Sequence, residues 1–272
     1  MIRPELSVLL IAKDEAPRLA AFFGSLKGLG LRYEVLLLDS GSSDDTVAIA
    51  KSYGARVLKV PWQGFAETKN RGFKACKAPW ILSLDADENP DKEMLSALGS
   101  ELRRPHPAAD AFSLNRLNYF LKKPVWRGGW HPDRQIRLFK KGAARFNQRL
   151  VHEGMVVEPG MRVGRLEGLL HHHSYPHLSG YLDRMNRYTT LQAEELFQKR
   201  GPRPAQAALR MLADPPLTFL KMYVMKAAYI EGKNGLFLSL LSSSSVFWKY
   251  AKYWHRSWEA RGGKAGDPWI LN

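Results

Sequence analysis

The residues that draw attention first are acids placed at the ends of apolar runs. Asp85-Ala86-Asp87 follows Trp80-Ile81-Leu82-Ser83-Leu84, so two carboxylates leave a buried strand into a turn. A hard cation such as Mg²⁺ or Mn²⁺ binds through one or two carboxylates and completes its shell with water and substrate phosphate. The pair suits that chemistry, although a lone Asp-x-Asp is more often a solvated turn, here leading to a helix at Asp91. Asp39 ends Val35-Leu36-Leu37-Leu38 and opens Asp39-Ser40-Gly41-Ser42-Ser43-Asp44-Asp45-Thr46. Its carboxylate can accept hydrogen bonds from a nucleobase imide or ribose hydroxyl, or serve only the turn. Lys13-Asp14-Glu15 follows a third apolar run, and Lys69-Asn70-Arg71-Gly72 offers donors to a nucleotide, or simply a basic helix face. In His171-His172-His173, adjacent residues on an extended segment cannot all face one metal, but one can.

The elements that must hold these residues alternate in type. Short apolar runs at Leu6–Ala12, Tyr33–Asp39, Arg56–Val60 and Trp80–Asp85 read as strands, and Pro17–Leu26, Asp45–Tyr53 and Phe65–Ala75 read as helices. That alternation predicts an α/β fold with a largely parallel sheet. Open sheets of this kind bind ligands beyond the carboxyl ends of their strands, which is where Lys13, Glu15, Asp39, Asp85 and Asp87 would converge. From Phe112 to Glu153 the chain turns aromatic and irregular, with Trp126-Arg127-Gly128-Gly129-Trp130 leading to a strand at Gln135–Lys140. After Pro176 the pattern is helical to Trp258. The expected organisation is a catalytic domain over 1–175 (a nucleotide half, 1–105, and an acceptor half, 106–175), a helical region over 176–258 and a loose tail over 259–272.

Bulk properties narrow the setting. A formal net charge of +15 and a pI near 9.9 favour anionic partners, whether nucleic acid, acidic lipid or a phosphorylated substrate. Cys76 is the only cysteine, which excludes an internal disulfide and a multi-cysteine zinc site. The amino terminus lacks the pattern of a signal peptide, so a cytoplasmic protein is expected. The most apolar stretch, Leu236 to Trp248, carries four consecutive serines and is too short to span a bilayer.

Taken in order, Ser7-Val8-Leu9-Leu10-Ile11-Ala12-Lys13-Asp14-Glu15, Leu38-Asp39-Ser40-Gly41-Ser42-Ser43-Asp44, Asn70-Arg71-Gly72 and Leu82-Ser83-Leu84-Asp85-Ala86-Asp87-Glu88 resemble a family 2 glycosyltransferase of the GT-A fold. The resemblance implies that Glu15 and Asp39 hold the base and ribose. It gives Asp85 the nucleotide and Asp87 a metal bridging the diphosphate. Ala12, Lys13, Lys69, Asn70, Ala86 and Arg134 would complete the nucleotide-sugar site, and the guanidinium forks of Arg134 and Arg137 suit phosphate, or else mark an exposed basic strand. The stretches Gly128–Phe139, Val151-His152-Glu153 and His172-His173-Ser174-Tyr175 extend the likeness toward bacterial enzymes that add β-linked glucose to the lipopolysaccharide inner core. Where that group carries an acidic pair, this chain has His152-Glu153, and Glu153 is the implied base, with Asp133 in reserve. His172 matches the group's histidine, a metal or diphosphate contact.

The likeness thus implies a UDP-sugar donor, Mg²⁺ or Mn²⁺ as cofactor, and a glycolipid or lipopolysaccharide-core acceptor at the inner face of the membrane. The helical region mixes Leu217, Phe219, Tyr223, Met225, Tyr229 and Ile230 with Lys221 and Lys226, which suits an anionic membrane surface or a homo-oligomer contact. A polyprenyl-phosphate glycosyltransferase would share the donor site without needing a base. A nucleic-acid-binding protein would account for the charge, but not for three acid motifs at strand ends.

Overall fold

The computed structural model describes residues 3–147 and 154–262. Its first compact unit comprises Met1–Tyr119 and Pro132–Ser174, and its second Phe120–His131 and Tyr175–Asn272. In chain order the elements up to the acid-rich turn are β1 (Leu6–Ala12), α1 (Ala16–Ser25), β2 (Tyr33–Asp39), α2 (Thr46–Ser52), β3 (Arg56–Lys59), α3 (Phe65–Ala75) and β4 (Trp80–Asp85). They are followed by β5 (Glu88–Pro90), α4 (Lys92–Leu102), β6 (Ala111–Phe120), β7 (Lys123–Pro124), β8 (Asp133–Lys140), β9 (Ala144–Phe146), β10 (Met155–Val157) and β11 (Val163–Tyr175).

One sheet runs β3-β2-β1-β4-β8-β6-β11-β5. Its β3-β2-β1-β4 part is parallel, and the β4–β8, β8–β6 and β11–β5 pairs are antiparallel. The central parallel strands β1, β2 and β4 are mostly apolar because both faces are covered. Leu6, Val8 and Leu10 of β1, Val35 and Leu37 of β2, and Leu82 and Leu84 of β4 join one core with Leu19 and Phe22 of α1 and Leu95 and Leu98 of α4. Leu9, Leu36, Leu38 and Ile81 point the other way, to Phe73 of α3, Phe139 and Phe146. Gly72 lets α3 lie close on the sheet, since a Cβ there would sit 2.6 Å from Leu38 Cδ1 and 2.7 Å from Leu9 Cδ1.

The region read as aromatic and irregular contains a ten-residue strand, β6, and the thirteen-residue β11 follows it. Their inward polar residues hide the strand pattern, as described below. In the second unit α5 (Leu178–Arg200) and α6 (Pro204–Leu220) are followed by a π-helical turn at Lys221–Met225, a 3₁₀ turn at Ala228–Glu231 and α7 (Lys233–Glu259). Residues 120–131, expected in the acceptor half, cluster with these helices instead: Phe120 and Val125 share a core with Tyr181, Met222, Ala228 and Leu238. Among the described residues no helix is long and apolar enough to cross a membrane.

Candidate active site

Register brings the acids together. β1 pairs Ala12 with Asp39 of β2 and Ile11 with Asp85 of β4, so the three strand ends lie side by side. The loops beyond are stapled: Asp14 Oδ1 accepts from Ser43 N–H at 2.7 Å, and the Glu15 N–H donates to Thr46 Oγ1 at 2.8 Å. Asp39 is buried and accepts the Ser42 N–H at 3.0 Å. Burial pushes the Glu15 carboxyl up, opposed by its ion pair with Arg18 and reinforced by the charges of Asp87 and Asp85. Glu15 therefore lies in the field of the Asp-x-Asp turn.

That turn crosses to the far sheet edge, where β5 pairs with β11, setting His172 opposite Glu88. The His173 N–H donates to the Asp87 carbonyl at 2.9 Å. Alternation along β11 then separates the three histidines. His172 Nε2 lies 3.6 Å from Asp87 Oδ2, whereas His171 Nδ1 meets the Tyr119 hydroxyl at 3.1 Å and the His173 ring lies against Tyr119.

Around this turn is an ion network. Lys69 Nζ, almost wholly buried, meets Asp85 Oδ1 at 2.8 Å, and Arg137 Nη2 meets Asp85 Oδ2 at 3.2 Å. Burial alone would raise the Asp85 carboxyl, but these two cations hold it well below the usual carboxylate range. Arg137 Nη2 also donates at 2.5 Å to Glu88 Oε1, which Arg116 Nη1 approaches at 3.3 Å. Arg116 faces Asp133 across the β6–β8 ladder, its Nη2 2.7 Å from Oδ2. Asn118 Nδ2 donates to the same Asp133 oxygen at 3.0 Å, and Asn118 Oδ1 lies 2.6 Å from His172 Nδ1.

These contacts settle the imidazole. An amide oxygen only accepts, so His172 Nδ1 carries the proton, and burial holds the ring's pKa below its usual value despite the nearby Asp87 and Glu88. A neutral imidazole thus turns its Nε2 lone pair toward a carboxylate oxygen. Two acceptors facing each other call for a cation between them. Charge counting agrees: Asp85, Asp87, Glu88 and Asp133 face three fixed cations, Lys69, Arg116 and Arg137. Asp87 is the acid without one, since among the described residues its ion-pair partner is His172. No group of three or more His, Cys, Asp or Glu side chains gathers as a metal site among the described residues. The pair alone thus falls short of a metal site, and would need phosphate and water to complete a cation's shell.

Several expected residues do other work. Asn70 spends its amide on the Phe146 backbone, donating to the carbonyl at 3.0 Å and accepting the N–H at 2.9 Å, and so pins β9 rather than offering donors to a nucleotide. Lys69 is bound to Asp85. Asp133 is engaged by Arg116, Asn118 and Gln135, and against the effect of burial these hold its carboxyl below the usual range, a poor state for a base. Arg134 is exposed, on the face of β8 opposite Asp133 and Arg137, and Lys13 is exposed in its loop. Ala86 is buried. Glu153 lies outside the described residues. Glu88, Arg116 and Asn118 had no role assigned from sequence, although a wholly buried glutamate directly after Asp-x-Asp needs a cation; Arg137, expected at phosphate or on an exposed basic strand, is instead buried and spent on Asp85 and Glu88.

Comparison with known proteins identifies the family and the fold. Residues 7–169 match the model of the family described as Glycosyl transferase family 2. A lipopolysaccharide core biosynthesis glycosyltransferase, LpsC, of Rhizobium meliloti is 28% identical over 90% of this chain and 93% of its own. An uncharacterized glycosyltransferase of Rickettsia typhi is 26% identical over 98% of this chain and 92% of its own. Among solved structures, the mannosyltransferase PcManGT of Pyrobaculum calidifontis, in complex with GDP-Man and Mn²⁺, aligns with a TM-score of 0.53 at 14% identity, over 93% of this chain and 88% of its own. That likeness shows the fold, which is GT-A.

Proposed function

The chain belongs to glycosyl transferase family 2, and from that membership we propose that it is an inverting, metal-dependent transferase. In this reading it moves glucose from UDP-glucose to a hydroxyl of a cell-envelope glycolipid of the lipopolysaccharide inner-core type, at the inner face of the membrane. The observation that carries the reading is the Asp87–His172 pair, two acceptor atoms 3.6 Å apart at the turn where β1, β2 and β4 end. The Mn²⁺ held by the mannosyltransferase of the same fold supports a divalent cation here. The lipopolysaccharide role of the Rhizobium relative supports the acceptor class.

Asp87 and His172 would hold the cation, which when bound supplies Lewis-acid neutralisation of the departing diphosphate. Asp39 and Glu15 would receive the nucleoside through their carboxylates. Asp85, fixed by Lys69 and Arg137, orients the turn. The acceptor oxygen bonds to the anomeric carbon as the carbon–phosphate oxygen bond breaks on the opposite face. Glu153 takes the hydroxyl proton, and the configuration inverts.

The test is turnover of a panel of nucleotide sugars with Mn²⁺, Mg²⁺ or EDTA, comparing the wild type with Asp87→Ala. Metal-dependent use of a UDP-sugar that drops at least about a hundredfold in the variant is expected. Turnover unaffected by EDTA or by the substitution would defeat the reading.

A further inference from the structure

The second unit turns an apolar face outward. Along α6, Leu209, Leu212, Leu217 and Leu220 are 67%, 70%, 62% and 51% exposed. Their positions, with Ala213 and Pro216, fall on one stripe at the helical period. Ala207, the one buried residue of α6, lies on the opposite side. The apolar run continues through Val224 and Met225 of the π-helical turn and Tyr229 and Ile230 of the 3₁₀ turn, all exposed. Contiguous apolar surface of this extent on a folded protein marks a place that meets a membrane or another molecule.

The charges beside the stripe identify the occupant. Lys221, Lys226 and Lys233 are exposed. Residues 204–233 contain two acids, and both are engaged within the unit: Asp214 is paired with Arg210, and Glu231 accepts the Trp126 N–H. The border of the apolar stripe is therefore cationic without local compensation. A twofold contact between two copies would use the same patch on each, setting these lysines against their own kind. We propose that this face docks onto an anionic lipid bilayer. Leu209, Leu212, Leu217, Met225 and Ile230 enter the boundary of headgroups and acyl chains, and the three lysines meet lipid phosphates.

The inference deepens the proposed glycolipid acceptor, and its test uses neither donor nor acceptor, so the two readings fail separately. The full chain is sedimented with vesicles of phosphatidylcholine alone or mixed with phosphatidylglycerol, at low and high salt. Binding to the anionic vesicles, weakened by salt, is expected. Leu212→Glu/Leu217→Glu/Met225→Glu should cut it at least tenfold, and Lys221→Glu/Lys226→Glu should abolish the preference for anionic lipid. A thiol-reactive environment-sensitive dye on Met225→Cys should shift to the blue with these vesicles, while the same dye on Lys51→Cys of the first unit should not; this readout stands even if the triple variant folds poorly. Wild-type protein that stays in the supernatant, equal binding to both vesicle types, or a silent dye at position 225 would overturn the proposal. So would a triple variant that binds vesicles normally and changes only from dimer to monomer.

Discussion

Asn118 joins two things the site requires. Its Oδ1 takes the proton side of His172, and its Nδ2 holds Asp133. Asn118→Leu keeps comparable bulk and removes both. The ring is then free to place its proton on Nε2, where it would donate to Asp87 and block the position facing it. Loss of a partner behind a ligating histidine commonly weakens metal binding by about 10–100-fold. Ser174 Oγ, 3.2 Å from His172 Nδ1, remains as a second acceptor, so the single variant should fall at the low end, near tenfold or about 1.4 kcal/mol. Asn118→Leu/Ser174→Ala should approach a hundredfold. The measurement is Mn²⁺ titration followed by the paramagnetic resonance of free Mn²⁺, with UDP saturating, beside urea unfolding to confirm the fold. If both variants hold Mn²⁺ as tightly as the wild type while His172→Ala loses it, the fixed tautomer contributes nothing and the argument from Asn118 is wrong.

Other consequences are measurable. Arg137→Met leaves Glu88 and Asp85 short of a buried cation, so unfolding in urea should show a loss of about 3–5 kcal/mol, partly restored in Arg137→Lys. Glu153→Gln should lower kcat by about 10²–10⁴-fold in steady-state assays with little change in donor KM; full retention would favour a phosphate acceptor, which needs no base. Glu34 is opposed by burial but held below its usual value by Ser7, the Lys77 N–H and Arg56. The unfolded chain therefore binds the extra proton first, and the stability from this site is present above about pH 4.5 and lost as pH falls through the lower folded value. Glu34→Gln should flatten that acid limb in denaturation curves taken between about pH 5 and 3.

How much of this was legible in the sequence depended on where polarity sits in each strand. β1, β2 and β4 are apolar on both faces and end in an acid or just before one, so an unbroken run followed by a carboxylate reveals both the strand and its site. β6 carries Arg116 and Asn118 inward, and β11 carries His172 and Ser174, because the ion network replaces apolar packing there. Those residues break the hydrophobic pattern that a reading by periodicity depends on, and both strands disappear from it. The same limit governs the two aspartates of the turn. Their spacing makes them equivalent, yet Lys69, sixteen residues away, and Arg137, fifty-two away, neutralise Asp85 and leave Asp87 to the imidazole. Which acid meets a cation from solution is decided by where the fixed cations fall, and strand pairing sets that, not local sequence.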